Sequence, residues 1–470
     1  MLPSFKVLSH QDVIEIDRAS RELLSDVGVM IAHQEGLELM RKAGAAVDFD
    51  KQIARIPSYL VDEALAKCAP SLRLHGRGGV KPLTVGGEAV HFGTVGIATN
   101  VLDVETGKYR PVLTQDMIDL IRLADVLTPP DFILVPATPT DHPAATVDVH
   151  EFKLLLLNTK KHVIAEAQGE ANLKKIIAMA EAVAGGGAAL RAKPFFSVLV
   201  CLTSPLTIRQ DGAELIVETA RAGLPLFIET GPMCGGTSPA TLAHTLIGAN
   251  AELLASFVLA KLVNPAVPLV YASWARIIDM KSAGVSHGGP EFGLLRAGTT
   301  QMAKFYNLPS GGGGILADSK LIDAQFGLEK LGTALFPALA GTNMISGMGL
   351  LADENAISLE ALMIDHEITG WVRRALEGIR VTPETTDISI FEEVGPGGDF
   401  IRAKHTRDNY RQEMWIPKIM DRGVLVQDKD PEPNSICNRA KRALAQVLAE
   451  YEPPPLAEGI EAELLSIMTG

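Results

Sequence analysis

Residues 194 to 230 read "PFFSVLVCLTSPLTIRQDGAELIVETARAGLPLFIET", and this stretch decides the fold. It holds an apolar run at 195–203, a segment with helical spacing of its apolar residues, and a second apolar run at 225–230. Apolar runs that do not alternate with polar residues are typical of parallel strands buried on both faces. The stretch therefore predicts a strand, a helix and a second parallel strand.

The same unit recurs along the chain. Eight β-rich runs stand out: "FILVPAT" (132–138), "HVIAEA" (162–167), "FFSVLVCLT" (195–203), "PLFIET" (225–230), "PLVYASWA" (268–275), "GGGGIL" (311–316), "TNMISGMG" (342–349) and "ISIFEEV" (388–394). Each of the first seven is followed by a helical pattern. This alternation predicts an α/β fold, a (β/α)8 TIM barrel. An open doubly wound sheet is the alternative, but no GxGxxG follows the first strand.

Flanking segments complete the predicted organisation. Residues 1–90 predict a mostly helical N-terminal extension, with Ser9 as the cap of its first helix. Residues 91–425 form the predicted barrel domain, which begins with two short strands joined by a Thr-Gly turn. Residues 426–470 predict a C-terminal helical segment around "SICNRAKRALAQVLAEY".

Composition limits the partners. The 470 residues carry a net charge of -13, which argues against nucleic acid and anionic membranes and fits a small cation or a partner protein better. The four cysteines are far apart, so we expect neither disulfides nor a thiolate zinc site, and a reducing cytoplasm follows. Neither a signal peptide nor a membrane span is predicted. A homo-oligomer is expected for an enzyme of this size.

Reactive groups of a (β/α)8 barrel lie where its strands end. The candidates at these positions are Glu166, Gln168, Thr203, Ser204, Glu229, Met233, Cys234, Trp274, Arg276, Asp318, the run 343–348, Glu392 and Glu393. Glu166 and Glu229 each end an apolar strand, where a charge needs a cation, a metal or hydrogen-bond donors. Trp274 can offer its ring face to a quaternary ammonium, or it can serve only as a packed lid.

Metal ligation has little support in the sequence, because no HxH or HExxH occurs. His287, in "VSHGGPEFG", is expected to be a solvent-facing loop residue. His405, in "AKHTRDNYRQEMW", is a better catalytic candidate because Tyr410 and Trp415 gather near it after the last predicted strand.

Four consecutive glycines, Gly311 to Gly314, precede Asp318 and Lys320. A phosphate-binding loop needs GxxxxGK[ST], and the order of residues here differs. Glycines in a barrel strand remove side chains from the inner layer, so we expect Gly312 and Gly313 to leave a hollow for substrate and Asp318 to lie at its rim.

Five stretches together resemble the trimethylamine methyltransferase (MttB) superfamily: "RIPSYLVDEALAKCAP", "ETGPMCGGTSPATLA", "GGGGILADSKLIDAQFGLEK", "ISGMGLLADENAISLEALMIDHEI" and "HTRDNYRQEMWIPKIMDR". The resemblance implies a (β/α)8 barrel that moves a methyl group from a methylated amine to the Co(I) corrinoid of a small partner protein, with no cofactor bound tightly in this chain. The trimethylamine branch carries a pyrrolysine that is not seen here, which points to the glycine betaine branch.

Chemistry supports a quaternary amine as substrate, because it leaves as a neutral amine and needs no general acid. Trp274, Glu166 and Glu229 are hypothesised to surround the ammonium. Arg276, His405 or the backbone near the glycine run would bind a substrate carboxylate. Proline betaine, carnitine and choline stay open as substrates, and a metal-dependent barrel lyase or hydrolase, or a non-catalytic scaffold, stays open as a different class of function.

Overall fold

The centre of the protein is a closed barrel of eight parallel strands. The computed structural model describes residues 4–96, 98–103, 105–425 and 432–469. In chain order the barrel strands are β1 (His91–Thr94), β2 (Phe132–Leu134), β3 (His162–Glu166), β4 (Phe196–Leu202), β5 (Leu226–Thr230), β6 (Leu269–Ser273), β7 (Ser310–Gly313) and β8 (Met344–Met348). Each strand pairs with the next, and β8 pairs with β1. The (β/α)8 prediction is confirmed, and the open sheet is excluded.

One of the eight predicted strands is wrong. Residues Ser389–Val394 form a helix instead of a strand. Phe391 on this helix is 64% exposed, and Ile388 directly before it is 66% exposed. The barrel is closed instead by β1, whose sequence "HFGT" is too short and too mixed to show a strand pattern. Gly93 within it fits the barrel because a Cβ there would lie 2.3 Å from the Phe132 ring.

A helix follows each barrel strand and packs outside it. These helices are Thr114–Val126, Val147–Asn158, Glu170–Ala184, Gln210–Ala222, Leu242–Val263, Pro290–Phe305, Ala324–Ala340 and Leu359–Glu377, with short turns of helix at Ala144–Thr146 and Gly187–Ala192. Leu242–Val263 is long and apolar enough to cross a membrane, but 78% of its most apolar window is buried within the protein. Its apolar surface therefore belongs to the core.

The N-terminal extension packs beside this long helix. It contains the helices His10–Asp26, Gln34–Ala43 and Ser58–Ala66 and the short strands Val29–Ile31, Ala46–Asp48, Ile53–Arg55, Ser71–Leu74 and Leu83–Gly86. Ser9 caps the first helix as predicted, since its hydroxyl accepts a hydrogen bond from the Asp12 amide. Strand Val29–Ile31 pairs with Thr207–Ile208 after β4, which ties the extension to the barrel.

Short strands in the connecting loops cover the end of the barrel at which β1 to β8 finish, called here the barrel mouth. They are Asn100–Asp103, Lys108–Pro111, Met233–Cys234, Arg276–Ile278, Val285–Ser286, Leu350–Leu351 and Ala356–Ile357. They form two small sheets, one from the loops after β5 and β6 and one from the loops after β8 and β1. The loops at the mouth are thereby fixed to one another.

Residues 378–425, called here the distal segment, lie at the other end of the barrel. Arg373, near the end of the helix after β8, pairs at 2.6 Å with Asp131, which directly precedes β2. Arg374 donates to the Glu413 carbonyl at 3.0 Å and so holds the distal segment at that end. The remaining elements are Ser389–Val394, Lys404–Glu413, Glu432–Asn434, Ile436–Ala449 and Ile460–Thr469. The C-terminal helix is confirmed, whereas the domain boundaries at residues 90 and 425 stay a prediction.

Candidate active site

Strands β3, β4 and β5 bring two carboxyl groups and a thiol together at the barrel mouth. Glu166 ends β3, and Cys201 and Glu229 are paired in register on β4 and β5. The Cys201 Sγ donates to Glu229 Oε1 at 3.1 Å, and Glu166 interacts with the same thiol. The two carboxylates proposed from the sequence are therefore neighbours, with Cys201 between them. The search for residues at strand ends had missed Cys201.

Cys201 shows that the barrel is open inside at this level. Its side chain is exposed, although every other residue of β4 is buried. Because β4 has a strand on each side and helices outside, an exposed side chain on it must face space within the barrel. Barrels of this type usually fill that space with layers of side chains. The open space beside Cys201 is called here the lumen.

The lumen carboxyls have little to stabilise their charge. Burial, with the negative charges of Glu166 and Glu354, raises the pKa of Glu229 to about 7 against the opposing effects of Cys201 and Arg276. Burial likewise raises the pKa of Glu166 and places that of Cys201 well above its usual value. Within the described ranges neither glutamate forms an ion pair, and Glu229 Oε2 has no hydrogen-bond partner. Such a site favours a cation.

Trp274 and the glycines of β7 form the opposite wall. The indole N–H of Trp274 donates to Glu354, and a Cβ on Gly313 would lie 2.8 Å from Trp274 Cε2. A Cβ on Gly311 would lie 2.3 Å from Phe227 Cζ, and one on Gly312, whose φ is +151°, 2.3 Å from the Ser273 carbonyl. The expectation that these glycines leave an open hollow is therefore corrected, because aromatic rings and backbone atoms occupy the space beside them.

Arg276 stands beside the lumen without a carboxylate partner. It is half-buried, it opposes the rise in the pKa of Glu229, and its Nη1 donates to the Trp274 carbonyl at 3.4 Å. Its Nε has no hydrogen-bond partner. In the part of the chain that the structure describes, no carboxylate lies within ion-pair distance of it. The Arg276 guanidinium therefore lacks a counter-charge among the described residues.

Asp318 fixes the loop after β6 rather than facing the lumen. Its carboxylate accepts hydrogen bonds from the Ser286 hydroxyl at 2.5 Å, the His287 amide at 2.8 Å and the Gly288 amide at 2.9 Å. All three of these donors belong to one loop, so the role that these contacts support is to position that loop. Nothing in these contacts assigns it to a substrate.

His287 is buried, so the expectation of a solvent-facing histidine is wrong. It is 2% exposed, and its Nδ1 lies 2.5 Å from Asp353 Oδ1. Its Nε2 has no hydrogen-bond partner and lies 3.8 Å from Glu354 Oε2. Ligand atoms of His287, Asp318 and Asp353 all fall within 4.8 Å of one another, as in a metal site. The hydrogen bonds already described account for that proximity.

Arg296 is a further residue that sequence reasoning missed. It lies within the helix Pro290–Phe305, is 2% exposed, and donates to the Ala275 carbonyl at 2.8 Å. Its Nε and Nη1 have no partner, and burial lowers its pKa to about 9. The sequence could not indicate this, because an arginine within a helical pattern is normally expected at the surface and not in a buried position.

His405 does not belong to the site. It lies on the helix Lys404–Glu413 of the distal segment, where it is exposed, and the opposite end of the barrel separates it from the lumen. Its assignment as a catalytic residue depended on a strand at 388–394 that the fold does not contain. Glu392 and Glu393 leave the candidate set for the same reason.

Comparison with known proteins agrees with this architecture. Residues 1–469 match the family model described as trimethylamine methyltransferase (MTTB). The chain is 36% identical to the trimethylamine methyltransferase MttB of Desulfitobacterium hafniense over 98% of its own length and 92% of that protein. It is 30% identical to a glycine betaine methyltransferase of the same species over 99% of its length and 96% of that protein.

Among solved structures, the monomethylamine methyltransferase (MtmB) of Methanosarcina barkeri shares the fold. The TM-score is 0.52 at 13% identity, with 95% of this chain and 89% of that chain covered. The family match over almost the whole length carries the assignment. The chain therefore belongs to the trimethylamine methyltransferase (MTTB) family and is a corrinoid-dependent methyltransferase.

Proposed function

We propose that the protein transfers a methyl group from glycine betaine to the Co(I) of a corrinoid carried by a partner protein, with dimethylglycine as the product. The observation that carries this proposal is the accessible lumen beside Glu166 and Glu229, two carboxyls without an ion-pair partner among the described residues. A quaternary ammonium supplies the missing positive charge. The family match makes a lyase, a hydrolase or a scaffold poorer alternatives.

The residues of the lumen suit a reaction in which the substrate must be positioned accurately but does not need an acid or a base. A quaternary nitrogen departs as a neutral amine, so no side chain has to protonate it. The carboxyls hold the ammonium, and the wall of Trp274 and the β7 glycines excludes water from one side. The methyl group can then be held in line with the acceptor, which enters from the mouth.

Arg276 supports a substrate that has a carboxylate. Its positive charge acts on Glu229, and its Nε has no hydrogen-bond partner. A betaine would place its ammonium at the glutamates and its carboxylate at Arg276. Trimethylamine has no group for Arg276 and, unlike a quaternary amine, must gain a proton before it can leave. Proline betaine and carnitine share both charged groups and differ in bulk, so they are the next substrates to test.

The decisive experiment is a methyl-transfer assay on purified protein. Co(I) cobalamin is mixed with glycine betaine, proline betaine, carnitine, choline or trimethylamine, and the corrinoid spectrum and the demethylated product are followed. We expect the highest kcat/KM with glycine betaine. Turnover of trimethylamine alone would overturn the proposal.

A substitution at Arg276 tests the carboxylate assignment within the same assay. Arg276→Gln should raise KM for glycine betaine about 10- to 100-fold, the loss expected for a charged hydrogen bond, and leave choline unaffected. Arg402→Gln, in the exposed distal segment, is the matched control and should change neither. Equal losses for betaine and choline would assign Arg276 to the fold instead.

The partner and the assembly belong to this proposal. The corrinoid protein docks at the barrel mouth, because the lumen residues Glu166, Cys201 and Glu229 lie at that end of their strands. The cytoplasm is the compartment in which we place the reaction. Self-association is supported by exposed apolar residues in the distal segment, among them Ile379, Ile401 and Val424 at 91%, 84% and 91% exposure. Light scattering should give a multiple of 50.2 kDa.

A further inference from the structure

Glu166, Cys201 and Glu229 form a cluster in the lumen that lacks positive charge in the ligand-free protein, and the bound substrate does not explain how the free protein tolerates this. Cys201 interacts with both Glu166 and Glu229, and its thiol can donate one proton to only one carboxylate at a time. Glu229 Oε2 is left without any donor. Two neighbouring carboxylates in such a site cannot both be ionised at low cost.

The groups around the cluster increase this imbalance. Asp148 acts on Glu166 from the helix after β2, and Glu354 acts on Glu229 from the loop after β8. Burial raises the pKa of Glu151, on the same helix as Asp148, to about 8, so that carboxyl is mainly neutral at pH 7 and below. The nearby cations are Arg276, after β6, and Arg296, on the helix behind it. Neither guanidinium forms an ion pair with a lumen carboxylate in the described structure. Acidic groups therefore outnumber the basic groups that face the cluster.

We propose that the Glu166–Cys201–Glu229 cluster is a proton-exchange site, in which the free enzyme keeps one proton between the two carboxyls and a quaternary ammonium displaces it on binding. This inference rests on the proposed function for the class of ligand. The exchange balances, because one proton leaves to solvent as one permanent cation enters and no covalent bond of the ligand changes. The charge beside the two carboxyls therefore stays constant through binding, while the carboxylate of a betaine is placed at Arg276.

The direction of the pH dependence follows. The pKa of Glu229, raised to about 7 by burial, means that the empty site holds its proton below neutral pH. Below that pKa the cation must compete with a proton, so the apparent Kd should fall about tenfold for each pH unit gained and level off above it. A site of permanently ionised carboxylates would give no such slope between pH 5 and 7.

Calorimetric titration with glycine betaine and, separately, tetramethylammonium tests the exchange without turnover. Titrations in phosphate and in Tris, whose ionisation enthalpies differ, give the number of protons released. We expect a release that approaches one proton per site at pH 6, together with the slope described above. Betaine binding with no proton release and a flat pH profile would overturn the inference while leaving the proposed substrate intact.

The two probes separate this inference from the substrate assignment. If tetramethylammonium binds with proton release and betaine does not bind, the exchange stands and glycine betaine is wrong. Glu229→Gln and Glu166→Gln should each weaken binding and abolish the proton release, since one carboxyl is then missing. Glu392→Gln, on an exposed helix, is the matched control and should retain both. The wild-type titration decides the question even if either lumen variant fails to fold.

Discussion

At the scale of single residues, the glycines of β7 show how a sequence signal can be real and still be misread. Their lack of side chains was correctly taken as space, but Phe227 and Trp274 occupy that space. The sequence places the glycines and the rings on different strands, so only the register of the barrel brings them together. The lumen itself lies beside Cys201, which has no special sequence pattern.

Gly311→Ala should destabilise the protein by about 1 to 3 kcal/mol, because its Cβ would overlap the Phe227 ring inside a closed barrel. Gly332→Ala is the control, since a Cβ there meets nothing within 4 Å and the residue is helical. The control should be neutral or slightly stabilising. Urea unfolding monitored by circular dichroism compares them, and equal stabilities would contradict the packing account.

Trp274 allows its ring and its N–H to be tested separately. Trp274→Ala removes both, and we expect KM for the quaternary amine to rise about 5- to 30-fold, as for a lost cation–π contact. Trp274→Phe keeps a ring and loses only the donor to Glu354, so its KM should stay closer to that of the wild type. Unchanged KM and kcat in Trp274→Ala would leave Trp274 as packing alone.

At the scale of elements, the loop after β8 carries much of what the sequence could not show. Ala352, Asp353 and Glu354 all have left-handed backbone, with φ of 53°, 58° and 65°. Such a run is costly and needs support from its surroundings. The loop brings Glu354 to Trp274 and Asp353 to His287, 66 residues away in sequence.

Prediction from sequence succeeded where a strand was long and apolar and failed where tertiary contacts decide. β6 was evident from "PLVYASWA", whereas β1 is four residues of mixed character. The burial of His287 depends on loops that follow two other strands, so no local pattern contains it. The glutamates were found because a charge that ends an apolar run is itself a local signal.

A buried ion pair supports the loop after β8. Lys330 and Asp365 are fully buried and 2.7 Å apart, and Asp365 also accepts from the Gly349 amide. Lys330→Met should cost about 3 to 5 kcal/mol, because it leaves the aspartate buried without its partner. Lys330→Met combined with Asp365→Asn should recover most of this loss. Chemical denaturation of the single and double variants measures it, and a double variant as unstable as the single would contradict the account.

At the scale of the whole molecule, the buried carboxyls that bind the ligand also make the stability of the free protein depend on pH. A buried carboxyl whose pKa is raised on folding contributes most stability below its unfolded pKa, and that contribution is lost as the pH rises through the folded pKa. For Glu229 this window runs from 4.5 to about 7. At neutral pH the free protein has therefore lost most of the stability that it gains from holding this carboxyl in its neutral form.

Glu229→Gln should consequently stabilise the ligand-free protein at pH 8 and have little effect at pH 4.5. The amide cannot ionise, so the variant avoids the cost that appears as the carboxyl loses its proton. Differential scanning calorimetry at the two pH values should show a gain in Tm of about 2 °C at pH 8 only. A gain of the same size at both pH values would mean that charge is not the cause.

The pairing of β1 with β8 also has a consequence for synthesis. Met344 lies beside His91, so roughly 250 residues must leave the ribosome after the first barrel strand before it meets its last neighbour. At ordinary rates of translation this takes about 13 to 50 s. During that time β1 has one edge unpaired, and nascent chains are expected to depend on chaperones until the eighth strand emerges.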